Sequence, residues 1–175
     1  VHTADTQSAE ASAQTKPAGW FDLLGYRQTW AIVVGRFLVD PVWWLYITWL
    51  PLYLSQVHGF DLKQIAMFAW LPFVAADLGC LFGPTVASFL QARGVSLINA
   101  RRWAMTLGAA MMTGMIFVGR VESPYAAIAL LCLGGFAHQT LSVTVITMAS
   151  DLFRRDEVAT VAGLAGMMGN LGVLL

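Results

Sequence analysis

Long apolar stretches separated by short polar ones organise this chain. Five follow one another: about 29–54 (TWAIVVGRFLVDPVWWLYITWLPLYL), 64–91 (QIAMFAWLPFVAADLGCLFGPTVASFLQ), 103–119 (WAMTLGAAMMTGMIFVG), 124–150 (PYAAIALLCLGGFAHQTLSVTVITMAS) and 158–175 (VATVAGLAGMMGNLGVLL). Each is near or above the ~17–25 residues a membrane-spanning α-helix needs. A spanning β-barrel would instead show short segments of strict alternation. One such segment could be a soluble core helix; five in a row predict an all-α integral membrane protein with five transmembrane helices. Ahead of them, residues 1–19 (VHTADTQSAEASAQTKPAG) lack apolar periodicity and read as a solvated linker. Residues 20–28 (WFDLLGYRQ) form a short amphipathic stretch, with Trp20 and Tyr26 placed for a membrane interface.

Composition agrees with that pattern. Of 175 residues, 58% are hydrophobic and 11% charged, against about 25% charged in soluble domains. Ten Lys/Arg balance ten Asp/Glu, which excludes nucleic-acid binding through a basic face. The high hydrophobicity excludes a disordered chain. Cys80 and Cys132 both fall in apolar stretches, without metal-ligand spacing or a disulfide framework. H-E-x-x-H, G-x-S-x-G and Walker A motifs are absent from the sequence, so neither an enzyme nor an ATP-driven pump is indicated, and no cofactor or metal is expected. The chain starts at Val1 and stops at Leu175 inside an apolar run, which reads as a piece of a longer protein.

Charge predicts orientation. Lys16, Arg27, Arg93, Arg101, Arg102, Arg154 and Arg155 lie in the tail and the loops after the second and fourth segments; Lys63 and Arg120 alone lie on the other side. This bias places the N-terminal tail in the cytoplasm. His58 and Glu122 fall in the short external loops, without an assigned role.

Charges inside a bilayer cost ~2.5–3.5 kcal/mol each on insertion scales, so the few present are informative. Arg36 and Asp40 lie seven and eleven residues into the first segment, Asp77 thirteen into the second, His138 fourteen into the fourth and Asn170 twelve into the fifth. At ~1.5 Å per residue all fall near the middle of the slab. The third segment has nothing ionisable between Trp103 and Gly119. Four helices would then line a wet cavity while one faces lipid, and substrate sites of secondary transporters lie at that depth. Arg36 and Asp40 share a helix face. They read as a charged clamp for an anion or as a structural ion pair. Asp40 and Asp77 are candidates for proton exchange or charge pairing, and Asp77 could equally bond a neighbouring helix. His138, with Gln139 and Ser142 extending its polar surface, reads either as a ligand contact or as a packed histidine. Trp43 returns to the face of Arg36 and Trp44 lies about 80° further round, so both could stack on a sugar ring or simply pack. Asn170 could contact substrate or bond between helices. Pro41 removes the hydrogen bond to the Phe37 carbonyl beside the clamp, and Pro51, Pro72 and Pro84 predict further kinks. Gly163, Gly166 and Gly169 read as ordinary packing positions.

Two runs carry a family resemblance. GRFLVDPVWWLYITWLPLYL, followed by GFDLKQIAMFAWLPFVAADLG, resembles the start of the C-terminal half of major facilitator transporters, and within them the anion:cation symporter family and its proton-coupled hexuronate (galacturonate and glucuronate) branch. Ile47-Thr48-Trp49-Leu50-Pro51 with Tyr53-Leu54 resembles the family's seventh-helix ending. Arg101 and Arg102 resemble its basic loop between helices eight and nine, and Asp151 through Asn170 its passage from helix ten into eleven. The resemblance covers about 20–175. It implies that residues 1–26 belong to a cytoplasmic central loop and 27–175 to a partial six-helix bundle, helices seven to eleven of a twelve-helix fold. The partners it implies are a carboxylate substrate, protons, the lipid bilayer of the inner membrane and an N-terminal half of the same protein. It further implies that Arg36 contacts an acidic substrate, where galactonate-type relatives have Gln, with Asn at the position of Asp40; Asn170 matches a substrate-contacting Asn. Pro84 and Ser88 depart from the family's Gly-rich acidic motif. The runner-up expectations are the same machine carrying galactonate, glucarate or an aromatic carboxylate, a non-transporting scaffold or receptor, and lastly a membrane enzyme.

Overall fold

A computed structural model describes residues 19–175; the linker expectation for residues 1–18 lies outside the described residues. Seven α-helices and one 3₁₀ segment make up the described chain: α1 (Trp20–Leu24), α2 (Arg27–His58), α3 (Leu62–Phe68), α4 (Leu71–Ala92), α5 (Leu97–Met112), the 3₁₀ segment (Thr113–Arg120), α6 (Pro124–Leu152) and α7 (Arg155–Leu174). Among the described residues there is no strand.

The five apolar segments map onto this order with two differences. Four stretches are long and apolar enough to cross a membrane: 27–58, 62–92, 124–152 and 155–174. The third segment is not one continuous α-helix. It is the sixteen-residue α5 followed by the eight-residue 3₁₀ segment, so four such helices stand where five were expected. The helix tightens at Thr113, whose hydroxyl bonds the Ala110 carbonyl at 2.6 Å, and Gly114 brings the backbone close to Leu133. Two α2 tyrosines hold the tightened segment in place: Tyr53 donates to the Val118 carbonyl at 2.9 Å, and Tyr46 reaches the Met115 sulfur at 3.3 Å. The second difference is a break at Ala69–Trp70, just before Pro72. α3 starts on a reciprocal cap, with Gln64 N–H donating to Asp61 Oδ1 at 2.7 Å and Asp61 N–H donating to Gln64 Oε1 at 3.0 Å.

Pro41 and Pro51 do not break α2, which runs for 32 residues. It ends on Gly59, whose φ of +67° is the left-handed conformation that favours glycine. The bonds from Gly59 N–H to the Ser55 carbonyl and from Phe60 N–H to the Leu54 carbonyl close that end.

α6 is the central helix, with α2, α4 and α5 packed around it and α7 against α2. α4 buries Pro72, Ala76, Gly79, Gly83 and Ala87, one face at helical spacing. That face is small, so the α4 and α6 backbones nearly touch: a Cβ at Gly79 would overlap the Phe136 carbonyl, and one at Gly135 would sit 2.6 Å from the Pro72 carbonyl oxygen. The Thr140 hydroxyl lies 2.8 Å from the Phe136 carbonyl and 3.2 Å from the Gly79 carbonyl, tying the seam.

Apolar residues collect in two clusters. One holds Leu23, Ile32, Val33, Val145, Ala149, Val161 and Ala165. The other holds Tyr46, Leu50, Leu54, Phe60, Ile128 and Leu131. On α2 and α6 the polar candidates fall between them. Thus Arg36 and Asp40 are flanked by Val33 and Tyr46, and His138 and Ser142 by Leu131 and Val145.

The seam allows a direct test. Gly79→Ala should lower stability by about 1–3 kcal/mol, because the overlap is with backbone that cannot swing away. Gly163, with nothing within 4 Å of an added Cβ, should tolerate alanine without loss. Thermal unfolding of detergent-solubilised protein, read for both variants, checks the pair; equal unfolding temperatures would remove the close-approach argument.

Candidate functional site

Three helices meet at mid-length of α2. The four-residue spacing of Arg36 and Asp40 sets their side chains one turn apart, and Arg36 Nη2 pairs with Asp40 Oδ2 at 2.9 Å. The other guanidinium edge turns to α6, where Nη1 donates to Ser142 Oγ at 2.8 Å. These side chains keep 19% and 17% of their exposure, so the pair is largely desolvated yet not sealed. Held at two edges, the guanidinium has a fixed plane, and its remaining N–H donors are available to an incoming acceptor.

His138 is buried on α6. Its Nε2 lies 2.9 Å from the Val39 carbonyl; a carbonyl only accepts, so Nε2 carries the proton. Nδ1 has no partner among the described residues. The imidazole stacks on Trp43, with centroids 5.4 Å apart and planes within 15°. Phe73 of α4 meets Trp43 edge-on at 5.6 Å and 83°. Trp43 is therefore clamped between helices, and its orientation is set from both sides. From α7, Asn170 donates to its own Gly166 carbonyl at 2.9 Å, which leaves its amide oxygen uncommitted.

These groups surround a cavity of about 320 Å³, lined by Arg36, Asp40, Trp43, Trp44, His138, Gln139, Ser142, Ile146 and Asn170. That lies in the ~300–1,000 Å³ range of small-molecule sites. One cation with its paired carboxylate, two amides, a hydroxyl, an imidazole and two indoles converge there. The combination can hold a carboxylate at one end, hydroxyls along the wall and an apolar ring face against tryptophan. A second cavity of about 160 Å³ shares Arg36 and Ile146 and is otherwise lined by Ile32, Ala149, Ala162, Ala165 and Gly166. A third, of about 230 Å³ around Tyr46, Trp49 and Leu131, has no charged group in its lining.

Every candidate site residue named from the sequence joins the first cavity except Asp77. It is exposed on α4 and has no ion-pair partner among the described residues. The cause is rotational: α4 turns Ala76 toward α6, and the next position points about 100° away. The cavity is thus built from three helices, α2, α6 and α7, rather than four. Phe73, one turn before Asp77, does contact Trp43.

Sequence reasoning missed three features. Ile146 closes one side of the cavity. Arg101 pairs with Asp151 at 2.8 Å, joining the start of α5 to the end of α6; only the fold brings partners fifty residues apart together. Gly169 lies directly against the Asp40 carboxylate, and Gly172 against the Phe37 carbonyl. The latter is the carbonyl that Pro41 deprives of its helical bond.

The sequence profile of the Major Facilitator Superfamily matches residues 1–175. The chain belongs to this superfamily. It is 45% identical over 168 residues to the hexuronate transporter of Escherichia coli K12, covering 95% of this chain and 38% of that protein. It is 41% identical over 121 residues to the galacturonate transporter of Dickeya chrysanthemi, covering 69% of this chain and 35% of that protein. It is also 26% identical over 168 residues to the D-galactonate transporter of Escherichia coli O6:H1, covering 96% and 39%. The chain spans less than two-fifths of the length of these relatives. As a major facilitator protein it is a multi-pass membrane protein, and the four apolar helices agree with that.

In this major facilitator chain the ion pair should behave as a unit. Arg36→Ala alone strands the Asp40 carboxylate, whereas Arg36→Ala with Asp40→Ala removes both charges. The single substitution should cost more stability than the double, with a coupling of about 1–3 kcal/mol. A thermal double-mutant cycle measures it. Additive losses would mean the pair is not coupled.

Proposed function

We propose that this chain is the greater part of the C-terminal half of a secondary transporter that imports a hexuronate with protons by alternating access across the cell's inner membrane. On this reading all five apolar segments cross the bilayer as helices seven to eleven of twelve, and residues 1–26 lie in the cytoplasm. The third crossing is α5 continued by the 3₁₀ segment: roughly 24 Å and 16 Å at their respective rises, ample for a ~30 Å slab.

The observation that carries the proposal is the cavity that faces Arg36 with indole rings and amides; on this reading the helical rise puts it near mid-bilayer. A fixed guanidinium fork matches a carboxylate with two hydrogen bonds and stays charged at physiological pH. A cation at that depth needs an opposite charge, which Asp40 supplies in the empty site and an anionic ligand supplies in the loaded one. Trp43 and Trp44 offer stacking surfaces for a sugar ring; His138, Gln139 and Asn170 offer partners for its hydroxyls. Asp40 holds the guanidinium while the site is empty. Asp40 and Asp77 are the proton-exchange candidates within this half. The names of the relatives favour the hexuronate class over galactonate, since the 45% and 41% identities are to hexuronate and galacturonate transporters and 26% is to the galactonate transporter. A scaffold whose charges only neutralise one another would leave no polar cavity beside the pair.

Two measurements test this. Hexuronate binding to purified full-length protein by calorimetry should weaken on Arg36→Lys, which loses the fork, and on Arg36→Gln, which loses the charge. The expected cost is roughly 2–5 kcal/mol, thirty-fold or more in affinity. Folded variants that bind within a factor of three of wild type would make Arg36 a structural residue. In membrane vesicles, uptake should rise as external pH falls and collapse with a protonophore, because inward proton movement drives the substrate. Accumulation indifferent to the protonophore would leave sodium coupling or exchange.

A further inference from the structure

The three atoms nearest to a Cβ built on Gly169 all belong to Asp40: Oδ2, Cγ and Cβ. Oδ2 is the oxygen that pairs with Arg36. The backbone of α7 therefore lies against the Arg36-facing oxygen of the resident carboxylate, in the space that a side chain at residue 169 would occupy. Gly169 continues the buried face of α7 begun by Val161 and Ala165, whereas Gly163 and Gly166, on other faces, have nothing within 4 Å. Asn170, the next residue, lines the cavity.

We propose that Gly169 is a positioning residue: by carrying no side chain it leaves Asp40 Oδ2 the room it needs to pair with Arg36, and so sets how strongly this internal carboxylate competes with the carboxylate of the substrate. The inference rests on the proposed carriage of a sugar acid. An internal carboxylate held on the guanidinium weakens binding of an external one, and the same contact recaptures Arg36 after release. A side chain at residue 169 loosens Asp40, so an anionic substrate binds more tightly and leaves more slowly. Gly172 is the internal control. It lies in the same seam, and its nearest neighbours are the Phe37 carbonyl and Pro41 rather than Asp40.

The experiment uses full-length protein, with galacturonate as the probe for calorimetry and for vesicle transport. Gly169→Ala should tighten binding by roughly three- to ten-fold, the worth of one hydrogen bond of competition, and lower maximal transport. Asp40→Asn should change both in the same directions. In an Asp40→Ala background, Gly169→Ala should add nothing, because its colliding partner is gone. If Gly169→Ala alone does not fold, Asp40→Ala must restore folding, and failure to do so overturns the proposal. Weaker binding in Gly169→Ala, an unchanged effect in the Asp40→Ala background, or the same tightening in Gly172→Ala also overturns it. If wild-type protein binds no hexuronate, the functional reading falls. The thermal-stability cycle of Gly169→Ala with Asp40→Ala then decides this contact alone: coupling supports it and additivity sinks it.

Discussion

A guanidinium in the middle of an apolar helix has to be neutralised, and the arrangement around Arg36 answers that requirement. Asp40 supplies the opposite charge from one turn away, at 2.9 Å, and Ser142 takes the other edge from α6. Each tie fixes a further element. Ser142 places α6 beside α2, and His138, one turn earlier on α6, then reaches the Val39 carbonyl. Asp40 needs a neighbour without a side chain, and α7 provides Gly169. Above and below this polar layer, the apolar clusters around Ile32 and Leu50 close the bundle. In the low dielectric between them a charge pair is strong, but it costs more to break than to bury intact.

The sequence made this layer legible because charges are rare in it. Against a background of apolar residues, Arg36, Asp40, His138 and Asn170 stand out, and the helical rise converts their positions to one depth. Depth is a property of chain distance, so counting suffices. Rotation is less legible: Asp77 lies at a comparable distance along its helix, but its azimuth turns it away from this cavity, and the difference is one residue's turn on α4. Its azimuth is set by the small-residue face Ala76–Gly79–Gly83 packing on α6, a choice that competes with other apolar faces of the same helix. The break in the third segment was hidden for another reason. Thr113 and Gly114 are poor helix formers, but glycines also sit inside the other helices of this chain, and what holds the tightened turn here is tertiary, the bonds from Tyr46 and Tyr53. Pro41 and Pro51 lie inside the segment that reads as one helix, and α2 continues past both.

The two seams of the bundle differ in chemistry. Between α4 and α6, the backbones approach through Gly79, Gly83 and Gly135, and the Thr140 hydroxyl bridges to the Gly79 carbonyl. Such contacts are short, numerous and mostly uncharged, so they favour one rigid arrangement. Between α2 and α7 the contact is also extensive, with Ile32 and Val33 sharing an apolar cluster with Val161 and Ala165, but its close backbone approaches are to polar groups: the Asp40 carboxylate against Gly169, and the Phe37 carbonyl, released by Pro41, against Gly172. The two seams thus differ in the polarity of their close approaches rather than in their extent.

That asymmetry bears on where a ligand can act. A bound anion changes an equilibrium only by its differential interaction with the two arrangements. On the reading proposed above, an anion at Arg36 competes with Asp40 for the guanidinium, and a displaced carboxylate has to find room against Gly169. Occupancy of the cavity would then be felt first at one atom pair, Arg36 Nη2 and Asp40 Oδ2, which is tied to α6 through Ser142 and lies against α7 through Gly169.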